Sequence, residues 1–143
     1  MTQPFANDEI KAAFAVEDPK ARAGMLALRD LILVTAARLP QVGPVEEALR
    51  WGQPSYLTPE TKSGSTLRLG QPKGGCFALF VHCQSTLIPD YLQAFPAWDR
   101  VEGTRALLFD DVSEIDPIRH GWLVERALTY HLHKTAKKQA SGK

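Results

Sequence analysis

The side chains best suited to gripping a metal ion stand in two short stretches, His82-Cys83 and Tyr130-His131-Leu132-His133. Their spacing works against it. Successive residues of a strand point to opposite faces, so a strand running through Cys83 separates the His82 and Cys83 side chains. Cys76 shares a strand face with His82, yet six residues at about 3.3 Å each put the two roughly 20 Å apart. On a helix, His131 and His133 lie about 200° apart around the axis and face different ways. No metal site is expected. His131 joins the apolar arc of Leu123, Val124, Ala127 and Leu128, which reads first as a histidine packed between helix and sheet and second as one facing a ligand. Nucleophile-elbow, HExxH, phosphate-loop and paired-carboxylate patterns are absent, and neither Ser55 nor Ser85 has a base nearby in the sequence. Binding is therefore favoured over catalysis.

The stretch Trp51-Gly52-Gln53-Pro54-Ser55-Tyr56 concentrates recognition chemistry instead. Trp51 and Tyr56 supply large amphipathic surfaces, Gln53 donates and accepts hydrogen bonds, and Pro54 sets the bend. Arg105 alternates onto the side of Leu107 and Phe109, where a guanidinium needs either an internal carboxylate such as Glu102 or Asp110, or a bound anion. Arg68 falls opposite Leu67 and Leu69 and is expected in water. The candidate ligand-binding residues are thus Trp51, Gln53, Tyr56, His82 and Arg105, lining a pocket for a small polar or anionic molecule at one end of a sheet. The competing expectation is that Trp51 plugs the core where the second helix meets the sheet.

These residues need a scaffold, and composition allows one. The 143 residues are 44% apolar, enough for one domain with its own core. Seventeen basic and 16 acidic residues leave a formal charge of +1, so no net field would gather nucleic acid or hold the chain to an anionic membrane. The N-terminus lacks a signal-peptide pattern and no apolar run reaches a membrane span, which predicts a soluble, cytoplasmic protein. Two cysteines, Cys76 and Cys83, without CxxC spacing predict free buried thiols in a reducing compartment.

Asn7 caps a short helix, and Asp18-Pro19 opens a longer one reaching Leu39-Pro40. Its buried stripe is Met25, Leu28, Ile32, Ala36 and Leu39, with Arg22, Arg29 and Arg38 on the surface. Val45 to Arg50 reads as a turn or two of helix. A strand then starts near Ser55, a second covers Ser65 to Leu69, and Cys76 to His82, apolar on both faces, reads as a central strand. Thr86 to Ala97 predicts a helix, Thr104 to Phe109 a strand, and Asp116-Pro117 opens a last helix reaching about Lys134. The prediction is an α+β domain over 1–134, an antiparallel sheet of four to five strands packed against N-terminal helices and a C-terminal helix, with a polar, disordered tail at 135–143.

With "ALRWGQPSYLT" followed by "GSTLRLG", then "ALFVHCQSTL", "EGTRALLF" and "ALTYHLHK", the chain resembles the YdhG-like family of small bacterial domains of unknown function. The resemblance implies terminal helices packed on an antiparallel sheet. One branch of that family has been likened to frataxin, which implies iron binding or delivery on an acidic ridge. Here Asp8, Glu9, Glu17 and Asp18 are interrupted by Lys11, Lys20 and Arg22, a mixed surface that holds a hard cation poorly. A protein-interaction module is the remaining alternative.

Overall fold

The computed structural model describes residues 3–132 of the chain. Four α-helices and six strands follow in the order α1 (Asp8–Ala13), α2 (Pro19–Ala37), β1 (Glu46–Arg50), β2 (Gln53–Leu57), β3 (Leu67–Gly70), β4 (Phe77–Phe80), α3 (Leu87–Ala94), β5 (Arg100–Glu102), β6 (Ala106–Phe109) and α4 (Pro117–Leu128). The class is α+β, as expected, with six strands rather than four or five. His133 and the tail expected at 135–143 lie outside the described residues.

The helix starts are set locally. The Asn7 side chain accepts from the Ile10 N–H, and Asp18 and Asp116 each cap a helix that has proline in its first turn. The α2 stripe is buried as its spacing requires. At Gly24 the helix comes so close to β4 that an added Cβ would lie 2.2 Å from the Phe77 ring, so only glycine fits there.

All six strands pair antiparallel in the order β1-β2-β3-β4-β6-β5. One face turns Tyr56, Leu67, Leu69, Phe77, Leu79, Leu107 and Phe109 into the core under the helices. Phe77 and Phe109, partners across β4 and β6, stack with centroids 5.2 Å apart. The other face carries Ser55, Arg68, Phe80 and Ala106 in one cross-strand row, with Ala78 and Leu108 beside them. Among the described residues no helix packs on this outer face.

Three expectations need correction. Glu46 to Arg50 is strand, not helix. It forms a hairpin with β2 around a two-residue turn, Trp51-Gly52, in which both residues have positive φ, 52° and 74°. Positive φ at both positions is the requirement of the tight hairpin turn that matches strand twist, and pairing overrides the helix propensity of Glu-Glu-Ala-Leu-Arg. Strand β5 escaped the sequence reading because three residues are too few to show alternation. Last, α4 stops at Thr129, whose hydroxyl turns back to the Glu125 carbonyl, before a final turn at 130–132.

Candidate functional site

The outer face of the sheet holds a cleft of about 350 Å³ bordered by Gln53, Arg68, Lys73, Phe80, Glu102 and Arg105. Arg68 is its centre. Its guanidinium carbon lies 5.0 Å from the Trp51 ring and 5.8 Å from the Phe80 ring, and Nη1 donates to Gln53 Oε1 at 3.1 Å. Gln53 reaches it by lying across Gly70, where an added Cβ would come 2.6 Å from the Gln53 amide nitrogen. Among the described residues no carboxylate forms a salt bridge with Arg68. Burial, and then the neighbouring charge of Arg105, lowers the Arg68 pKa. Both effects make this a place where an arriving negative charge is stabilised.

Trp51 is 87% exposed and occupies a left-handed backbone position that bulky residues avoid. A strained, exposed indole is poor material for a turn, and strain of this kind gathers at functional sites. Among the described residues its aromatic-cation contact is with Arg68. The core-plug expectation for Trp51 is therefore overturned.

Arg105 also departs from its expected place. The strand begins at Ala106, so the alternation of β6 does not extend to Arg105, which sits in the turn after β5. Its side chain reaches the outer cleft and donates from Nε to Glu102 Oε2 at 2.9 Å. That is the carboxylate proposed as its internal partner from the sequence.

The remaining two candidates lie elsewhere. Tyr56 is buried on the opposite face and donates to Glu47 Oε2 at 2.7 Å. Strand β4 ends at Phe80, and His82 lines a separate cleft of about 390 Å³ with Ser65, Thr66, Ser85, Tyr130 and His131. Its Nδ1 accepts from the Gln84 N–H at 3.1 Å. Of the five candidates, Trp51, Gln53 and Arg105 gather around Arg68, while Tyr56 and His82 do not. His131 is exposed rather than packed, because the break at Thr129 ends the helical arc that would have carried it inward. Cys83 is likewise exposed and Cys76 only partly covered, against the expectation of buried thiols.

Two polar clusters went unseen in the sequence. Arg29, assigned to the surface, is 1% exposed: Nε and Nη2 donate to the Glu47 carboxylate at 2.6 and 3.1 Å, and the remaining donors reach the Gln3 and Pro4 carbonyls at 2.7 and 2.9 Å. Burial alone would raise the Glu47 carboxyl, but hydrogen bonds from Arg29, Tyr56 and the Ala6 N–H outweigh it and hold the pKa below the usual range. The signal was there, since Arg29 follows Met25 by four residues and so flanks the buried stripe. In the second cluster, buried His120 accepts from the Asp116 N–H at Nδ1, 2.8 Å, and meets Asp99 Oδ1 through Nε2, 3.0 Å. Arg119 and the Tyr91 hydroxyl also donate to Asp99. Their combined effect overcomes burial and holds the Asp99 carboxyl far below its ordinary value. The 120/123/124/127/128 spacing marked His120 as the head of the α4 stripe.

Among the described residues no three His, Cys, Asp or Glu side chains are grouped to hold a metal ion. None of the described helices is long and apolar enough to cross a membrane. No protein-family model, curated protein or solved structure matches the chain.

Proposed function

We propose that the protein is a non-catalytic binding domain that takes a small anionic ligand on the outer face of its sheet, between Arg68, Arg105 and Lys73. One observation carries this: Arg68 is held in position by Trp51, Phe80 and Gln53, yet has no carboxylate partner among the described residues. A guanidinium fixed by aromatic faces and one amide has lost side-chain entropy in advance and keeps donors free for a carboxylate or phosphate oxygen. Binding without turnover is favoured because the Ser55 and Ser85 hydroxyls donate to backbone carbonyls, of Gln53 and His82, rather than to a base. Both nitrogens of His120 are occupied within the core. The YdhG-like resemblance adds no ligand, and the iron alternative has no ligand cluster behind it among the described residues.

A thermal-shift screen of small anionic metabolites tests the proposal. A binding anion at a hundred times its Kd stabilises the fold by about 2.7 kcal/mol. That shift should vanish in Arg68→Ala and shrink in Arg105→Ala. A stabilising anion whose effect survives Arg68→Ala would move the site away from this cleft.

A further inference from the structure

The cleft's charge and its exposed indole together narrow the ligand class, on the premise that the cleft binds anions. Arg68, Lys73 and Arg105 face a single carboxylate, Glu102, so three cations against one anion leave two positive charges around one hollow. A carboxylate ligand would neutralise one of them. A phosphate monoester carries a charge of about −1.5 to −2 at pH 7 and three acceptor oxygens, which suits two guanidiniums and an ammonium. Trp51 stands beside this charge on the hairpin tip, with most of its surface bare. An exposed aromatic next to a cationic hollow is the arrangement that stacks a planar ring while its charged end is held.

We propose that the outer cleft binds a phosphate monoester carrying a planar aromatic or heteroaromatic ring, the phosphate between Arg68, Arg105 and Lys73 and the ring on Trp51. Glu102 has a defined part in this. Its carboxylate occupies Arg105 in the free protein and competes with the ligand for that guanidinium.

Titration calorimetry with phenyl phosphate, inorganic phosphate and benzoate separates the contributions of ring and charge. Phenyl phosphate should bind most tightly, and its affinity should rise between about pH 5 and pH 7 as the phosphate takes its second charge, with a pKa near 6. Glu102→Gln should tighten phosphate binding about two- to fivefold, the worth of an exposed ion pair. Trp51→Asn should remove the advantage of phenyl phosphate over inorganic phosphate, about fivefold or more, and, because the indole also helps to hold Arg68, should weaken inorganic phosphate by a smaller factor. Benzoate binding as tightly as phenyl phosphate, with no dependence on pH, would overturn the inference and leave an anion site for carboxylates. No heat with any of the three probes would also overturn it, while a metabolite that shifts the melting temperature through Arg68 would still uphold the broader proposal.

Discussion

Arg29 and Arg68 lie on opposite sides of the same sheet, one against the helices and one against solvent. Both guanidiniums rest near aromatic rings, Phe5 at 4.3 Å for Arg29 and Trp51 at 5.0 Å for Arg68. The difference lies in what answers the charge. Arg29 is enclosed, its donors shared among a carboxylate and two carbonyls, and the Glu47 it neutralises is in turn held by Tyr56. Among the described residues Arg68 has one amide oxygen. A buried charge without its partner costs several kcal/mol, so the inner site must be complete within the fold. A half-exposed charge is tolerated by water, so the outer site can be left for something else.

This contrast can be broken most sharply from the inside. Arg29→Met should cost about 3–5 kcal/mol by stranding Glu47, measured by urea unfolding, whereas the double variant Arg29→Met/Glu47→Leu should recover much of that loss. Arg68→Ala should change stability by no more than about 0.5 kcal/mol in the same assay. Equal losses at the two arginines would remove the distinction between a structural and an available guanidinium.

Acid should act on the helix side first. Asp99 and Glu47 both have pKa values depressed by folding, so each contributes stability that is present above the unfolded carboxyl value, about 4, and is lost as the pH falls through the folded value. Unfolding free energy should therefore fall below about pH 4. In Asp99→Asn it should start about 1–3 kcal/mol lower at pH 7 and fall less steeply. A slope unchanged by that substitution would take Asp99 out of the acid response.

A modest effect, of opposite sign, belongs to the hairpin tip. Trp51→Asn puts a residue that tolerates positive φ into the turn and should raise stability by up to about 1 kcal/mol in thermal unfolding. A loss instead would mean that the indole's contact with Arg68 outweighs the backbone strain.

Much of the scaffold was legible because its signals are local. Proline after Asp18 and Asp116, the stripe from Met25 to Leu39, and the alternation of Leu67-Arg68-Leu69 each depend on neighbours within a turn or a strand. The site was legible only in part. Arg68 was placed on the correct face, but its surroundings come from five other segments, the hairpin tip, the start of β2, β4, the turn after β5 and the 71–75 loop. Arg105 was misplaced because alternation was extended one residue past the start of a strand, and His131 because a helical arc was extended past a break.

What the sequence determined by itself was the class of fold, the capped helix starts and the alternation that divides each strand between two faces, all consequences of short-range geometry. Tertiary structure alone decided that Glu46 to Arg50 pairs as a strand, that Arg29 is enclosed, and that Arg68 stands between two aromatic rings with no carboxylate partner among the described residues. Those outcomes depend on which distant segments meet, and a charge finds its partner, or lacks one, through space rather than along the chain.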